Sequence, residues 1–351
     1  MEITHFHLIF WDTQLPVVIQ NARVLQPEFV PRDVVHRTHE VNTLSAALDP
    51  VTDGQKGEVS FLHGPSGAGK TCIARYITEQ LQESVLDLNT QYVNCWEDYS
   101  RFKTLYRVLE GIDRTLDIHR QSTPRDELLD RLRDYDGPPY VVILDEVDQL
   151  EDKRVLYELH RTRKLTLVLI ANQEAGLFEP LNERLTSRLR TATRIQFDRY
   201  TVDELVSILE PRVRWGLQED VVTTEQLEWI ADAAAGDARV GIEVLRVAAR
   251  RTTQRGLDTI PDEVLNGAVS EAKSEIRQRN VGKLTADQRI LYEIVTELGE
   301  IAPSKLYEEY RARADDPKSD RMVRNYLQKM ERYNLVRAEG ENRGRTYCSV
   351  V

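Results

Sequence analysis

The run Gly64-Pro65-Ser66-Gly67-Ala68-Gly69-Lys70-Thr71 matches G-x-x-x-x-G-K-[ST] at every fixed position. Glycines at these points let backbone N–H groups turn inward around phosphate oxygens, and a helix opening directly afterwards aims its positive end at the same place. Pro65, Ser66, Gly67, Ala68, Gly69, Lys70, Thr71 and Cys72 are therefore the expected cradle of ATP or ADP. Lys70 reaches the β and γ phosphates, and Thr71 places its hydroxyl on Mg²⁺. Further along, five apolar residues from Tyr140 to Leu144 end in Asp145-Glu146. Asp145 is positioned to hold the same Mg²⁺, and Glu146 to polarise the attacking water. A second apolar run, Leu165 to Ala171, ends in Asn172, whose amide is placed to hydrogen-bond that water or the γ phosphate. Arg239, in the first helical turn after Ala235-Gly236-Asp237-Ala238, sits at an unfavourable helix end for a cation. A nearby anionic ligand explains the choice. Toward the C-terminus, Lys318, Arg321, Arg324, Lys329 and Arg332 face only Asp320 and Glu331 within one helical stretch, and the turn that follows adds Arg343 and Arg345.

These residues need a particular scaffold. The strand Glu58 to His63 leads into the glycine-rich turn and then into a helix from Cys72 to Glu83. Further strands are expected at Gln91–Cys95, Tyr140–Leu144, Leu165–Asn172 and Thr193–Phe197. Strands alternating with helices predict an α/β, doubly wound parallel sheet that binds ligands along its carboxyl edge. Between Trp96 and Gly137, helical periodicity in Ser100–Leu116 and Arg125–Tyr135 exceeds what a crossover needs and reads as a helical insertion.

From Thr201 the strand signal stops. Four helices follow, Thr201–Trp215, Thr224–Ala235, Arg239–Gly256 and Pro261–Asn280, as an all-helical second domain. The last residues read as helices Thr285–Leu298, Pro303–Ala314 and Ser319–Tyr333, then strands Leu335–Ala338 and Thr346–Val350. Three helices and a hairpin predict a winged helix-turn-helix. The resulting division is an extension at 1–20, a nucleotide-binding domain at 21–198 with its insertion at about 97–137, a helical domain at 199–280 and a winged helix at 281–351.

The chain of 351 residues can support several domains, each with its own core. No apolar run reaches the roughly 20 residues of a membrane span, and the N-terminus has neither a basic leader nor a small-residue cleavage site. A cytoplasmic protein without membrane partners is expected. Cys72, Cys95 and Cys348 lie far apart, which excludes a zinc knuckle and argues against a disulfide framework. The net charge is −11, and arginine outnumbers lysine by more than three to one among the 47 basic residues. That acidic, lysine-poor balance predicts a salt-rich source.

The ordered set of motifs resembles the archaeal Orc1/Cdc6 replication initiators, members of the initiator clade of AAA+ ATPases, over nearly the whole chain. Phe29-Val30-Pro31 with His36-Arg37 is similar to the family's segment beside the adenine, which implies nucleotide contacts for Val30 and Arg37. Gly64 to Thr71 and Leu144-Asp145-Glu146-Val147-Asp148 resemble its Walker motifs. Asn172 resembles sensor 1, and Gly236-Asp237-Ala238-Arg239 resembles sensor 2. In the finger region, Arg184-Leu185-Thr186-Ser187-Arg188 carries an arginine where the family commonly has the second of paired serines. Arg184 is the expected residue offered to a neighbouring subunit, with Arg188 as its substitute. The resemblance implies slow ATP hydrolysis used as a switch, binding to duplex DNA at replication origins, help in loading the MCM helicase, association with the nucleoid, and contact with other initiator subunits. For DNA it implies the third winged-domain helix in the major groove, through Arg321, Arg324 and Lys329, and the Arg343-Gly344-Arg345 turn in the minor groove. Two other classes compete: a STAND-type regulatory ATPase whose winged helix binds protein, and a clamp-loader subunit, against which the C-terminal hairpin speaks.

Overall fold

The structure, a computed structural model, describes residues 18–119, 123–173, 191–340 and 345–350. Contacts group them into two units. One comprises 18–29 with Tyr200–Ala272, and the other Val30–Arg199 with Lys273–Val351.

In the larger unit, β1 (Ser60–His63), β2 (Asn89–Asn94), β3 (Tyr140–Asp145), β4 (Leu165–Ala171) and β5 (Thr193–Gln196) form a wholly parallel sheet in the order β2-β3-β4-β1-β5. Every residue of β3 and β4 is buried, as expected of central parallel strands covered on both faces. The two-residue period divides their side chains. Tyr140, Val142 and Leu144 join one core with Phe61, Leu105, Leu128 and Leu156. Val141 and Ile143 join the other with Leu44, Leu62, Ile73 and Ile170.

The insertion contains α3 (Arg101–Glu110) and α4 (Arg125–Arg133) among its described residues. Both lie on the first of these cores through Leu105, Leu109, Leu128 and Leu132. The helix α3 stops before the expected Leu116. Its C-cap, Gly111, lies so close to the sheet that a Cβ there would stand 2.5 Å from the Tyr140 hydroxyl, which itself donates to Val108 O.

The smaller unit holds α6 (Val202–Gly216), α7 (Thr224–Ala234), α8 (Ala238–Gln254) and the first part of α9 (Asp262–Gly282). Capping boxes at Thr201/Glu204 and Thr223/Gln226 start α6 and α7, each satisfying orphan N–H groups at both ends of the reciprocal pair. Residues 18–29 belong to this unit, which moves the expected boundary at residue 21. Val18 and Leu25 enter its core, Ile19 bridges Leu217, and the buried Arg212 donates to the carbonyls of Val24, Gln26 and Phe29. Prolines obscured this packing in the sequence, because the segment is anchored by backbone carbonyls rather than by a periodic apolar face.

At the C-terminus, α10 (Ala286–Leu298), α11 (Pro303–Arg313) and α12 (Asp320–Arg332) surround a small sheet of β6 (Glu300–Ile301), β7 (Val336–Glu339) and β8 (Thr346–Ser349), ordered β6-β8-β7. This is a winged helix-turn-helix, with the two-residue β6 added to the expected hairpin. Its core includes Leu291, Ile294, Leu306, Val323, Leu327 and Leu335, and also Trp96 from the segment after β2. Trp96 was expected to open the insertion. It is instead fully buried in the winged-helix core.

Candidate nucleotide site and DNA-facing elements

The strand β1 delivers the chain to the glycine-rich turn at the carboxyl edge of the sheet. Gly64 has φ 146°, and a Cβ there would lie 2.1 Å from the Phe197 carbonyl oxygen. We expect Gly64→Ala to destabilise the larger unit by about 3 kcal/mol or to displace the loop, read as a lower denaturation midpoint; an unchanged midpoint would show that the approach is not tight. Gly69, at φ 96°, forms the left-handed N-cap from which α2 (Lys70–Ser84) starts. Pro65, Ser66, Gly67 and Ala68 make the turn between them, and Cys72 is half-buried in the first turn of α2. Lys70 Nζ reaches Gly64 O and Pro65 O, each at 2.7 Å, and Asn172 Oδ1 at 3.3 Å.

The metal-binding candidates also come together. Thr71 Oγ1 donates to Asp145 Oδ2 at 2.7 Å, and Asp145 is buried. A hydroxyl and a carboxylate are hard oxygen donors of the kind Mg²⁺ accepts when phosphates supply the rest. Among the described residues no cluster of three or more His, Cys, Asp or Glu could hold a metal independently.

Sequence reasoning missed a third partner. Tyr92 of β2 donates to the same Asp145 oxygen at 2.9 Å, and burial, followed by the nearby Asp145 charge, pushes its phenol well up so that it stays protonated. Register pairs Val93 with Leu144 and Asn94 with Asp145, bringing Tyr92 to this edge.

Glu146 follows β3 in a left-handed conformation, φ 56°, and caps the short 3₁₀ turn Val147–Gln149. A non-glycine residue in that region carries strain that the surrounding structure must hold. Burial first, and the Asp145 charge second, raise its carboxyl toward neutrality. Asn172 follows β4; its Nδ2 donates to the Tyr333 hydroxyl at 3.4 Å while its Oδ1 faces Lys70. Thus Lys70, Thr71, Asp145, Glu146 and Asn172 meet on one sheet edge.

The other expected nucleotide contacts are placed differently. Arg37 is buried, pairs with Glu40 at 3.0 Å, donates to Asp198 O at 2.6 Å and lies over the Phe197 ring. Val30 is half-buried at the start of the same unit. Arg239 occupies the first turn of α8 in the smaller unit. The Asp237 carboxylate accepts from the N–H groups of Arg239 and Val240 and lies 3.7 Å from the guanidinium. That carboxylate offsets the unfavourable dipole, so the helix position alone does not call for an anionic ligand. Arg184 and Arg188, with Arg343, lie outside the described residues.

Of the residues expected at DNA, Arg321 and Arg324 are exposed on α12. Lys329 is not: it is 5% exposed, with its ammonium 4.3 Å from the centre of the Trp96 ring. Burial lowers its pKa. This corrects the expectation that Lys329 faces a duplex in this arrangement; its side chain points toward the sheet domain. Arg345 pairs with Glu331 at 3.0 Å and lies over Tyr347.

A phosphate loop between a parallel strand and a helix, a paired Thr and Asp, an adjacent Glu, and an Asn on the next strand define an AAA+ P-loop ATPase. The AAA domain model matches residues 53–176, and the Cdc6 AAA+ ATPase-type lid domain model matches residues 206–274. The chain is 48% identical over 333 residues to ORC1-type DNA replication protein 9 of Halobacterium salinarum, covering 95% of this chain and 94% of the relative. It is 56% identical over 308 residues to ORC1-type DNA replication protein 1 of the same organism, covering 88% and 100%. Among solved structures, that of the Aeropyrum pernix ORC1 protein in complex with DNA superimposes with a TM-score of 0.74 at 24% identity, covering 95% of this chain and 93% of that one; at that identity it supports the fold. The chain belongs to the Orc1/Cdc6 family of replication initiators. The haloarchaeal relatives agree with the salt-adapted composition.

Proposed function

We propose that this protein is an ATP-regulated origin-recognition factor that binds duplex DNA at replication origins and helps load the MCM helicase. The observation that carries the ATP part is the convergence of Lys70, Thr71, Asp145, Glu146 and Asn172 on one edge of the sheet. The backbone of Pro65–Cys72 and the Lys70 ammonium hold the nucleotide's phosphates; Thr71 and Asp145 hold Mg²⁺, with Tyr92 fixing the Asp145 carboxylate. When bound, the nucleotide with its Mg²⁺ supplies the phosphoanhydride to be cleaved. Glu146 and Asn172 hold the attacking water, and Arg239 and Arg184 add positive charge where it builds up at the γ phosphate. Turnover is slow, serving as a switch rather than as a supply of work.

The DNA part is supported by family membership, by the exposed Arg321 and Arg324 on α12, and by the fold shared with an ORC1 protein whose structure is in complex with DNA. Arg343 and Arg345 of the wing are assigned to the minor groove. The domain limits expected from the sequence, apart from the transfer of residues 21–29, complete the reading, with action in the cytoplasm on the nucleoid and beside other initiator subunits. Relatives named as replication proteins weigh against a STAND-type switch.

Mapping the protein along its own chromosome tests the assignment: occupancy should concentrate at replication origins and MCM should be recruited there. Uniform occupancy would refute it. At the residue level, Arg324→Ala should weaken duplex binding about threefold to tenfold and reduce the slope of log affinity against log salt by about 1. Superimposable binding curves at several salt concentrations would exclude that contact.

A further inference from the structure

The winged helix touches the catalytic edge of the sheet domain through one end of α12, and the contact residues are specific. Trp96, two residues after β2, inserts into the winged-helix core and meets the Tyr333 ring with centroids 3.9 Å apart. The Lys329 ammonium lies over the same Trp96 ring, 4.3 Å from its centre. Arg332 pairs at 3.0 Å with Asp148, whose side chain is 1% exposed, two residues beyond Glu146. Asn280 Nδ2 donates to the Tyr333 carbonyl, which fixes the end of α12 from a second side.

The Tyr333 hydroxyl sits where this leads. It accepts from Asn172 Nδ2 at 3.4 Å, and the Glu146 carboxylate, whose Oε2 is buried without a hydrogen-bond partner, lies close by. These are the two groups assigned to the attacking water. One phenolic oxygen therefore contacts Asn172 and lies beside the unpartnered oxygen of Glu146, where a hydrolytic water would need to sit. The cost of releasing it includes the Arg332–Asp148 pair and the Trp96 stack, both formed by the helix expected to enter DNA. Lys329 and Arg332 cannot serve the Trp96 and Asp148 contacts and a phosphate backbone at the same time.

We propose that Tyr333 is an inhibitory plug: with the winged helix docked, its hydroxyl takes the position of the hydrolytic water between Glu146 and Asn172. Engagement of α12 by duplex DNA draws Lys329 and Arg332 away and withdraws the plug. Duplex binding and access of water to the nucleotide are then two outcomes of one movement. The proposal rests on the assignment of Glu146 and Asn172 made above.

The test uses the full-length protein and a short duplex. Tyr333→Phe keeps the ring on Trp96 and removes only the hydroxyl. Without DNA, its ATP hydrolysis should rise about fivefold, the scale of one lost hydrogen bond, with nucleotide affinity unchanged. Asp148→Asn, which weakens the Arg332 anchor and leaves the hydroxyl in place, should raise hydrolysis in the same direction. In the absence of nucleotide it should also bind the duplex about fivefold tighter, because Arg332 is released. A Tyr333→Phe rate equal to or below that of the unmodified protein, or an Asp148→Asn duplex affinity that does not rise, would overturn the plug. Glu146→Gln in the Tyr333→Phe background separates the two layers. A slow double variant leaves the glutamate assignment standing whatever Tyr333 does. A double variant as fast as Tyr333→Phe alone removes the glutamate assignment and the plug with it.

Discussion

Lys70→Ala is expected to lower ATP affinity about a hundredfold. The ammonium is a charged donor to phosphate oxygens, and the loss of charge-assisted hydrogen bonds is worth about 2.7 kcal/mol at such a site. In the structure this side chain also spans the loop from Gly64 and Pro65 to Asn172. Alanine therefore removes a brace as well as a charge. Titration with a fluorescent nucleotide measures the effect, and a thermal melt without nucleotide shows whether the loop itself has loosened. Affinity within twofold of the unmodified protein would mean that phosphates do not sit at this turn.

Glu146→Gln should separate binding from turnover. The amide preserves size and keeps an acceptor near Tyr333, but it cannot take up a proton or orient water as a carboxylate does. Hydrolysis is expected to fall by about 10² to 10³, while ATP affinity stays within about twofold. Burial and the adjacent Asp145 hold the Glu146 carboxyl toward its neutral form. A normal single-turnover rate for Glu146→Gln would take the water-activating role away from this residue.

Much of this site was visible in the residues because its signals are local. A glycine-rich turn between a strand and a helix, and apolar strands that end in Asp145-Glu146 and in Asn172, are short patterns with one physical interpretation each. Helical stretches at α6, α7 and α10 were legible as well, and the structure closes their starts with reciprocal caps from Thr201, Thr223 and Thr285.

What escaped the sequence depends on contacts between distant segments. Tyr92 reads as an apolar strand residue until register with β3 brings its hydroxyl to Asp145. Trp96 carries no periodic mark of belonging to a core built some two hundred residues later in the chain. Tyr333 looks like a residue that ends a helix, and only the docking of α12 places its hydroxyl beside Asn172. Lys329 shares the basic composition of its helix with Arg324, yet one side chain is buried and the other exposed. Charge counted along a helix does not say which face the neighbouring domain covers. Residues 18–29 escaped because carbonyls held by Arg212 leave no pattern in their own side chains.

ATP regulation of DNA binding requires that the bound nucleotide set how firmly the winged helix holds DNA. Duplex affinity of the Glu146→Gln protein, which keeps ATP intact, should be measured at one fixed salt concentration with saturating ATP and again with saturating ADP. The two affinities are expected to differ about tenfold, within the range of ordinary coupling between two sites. Equal affinities in the two nucleotide states would contradict that regulation.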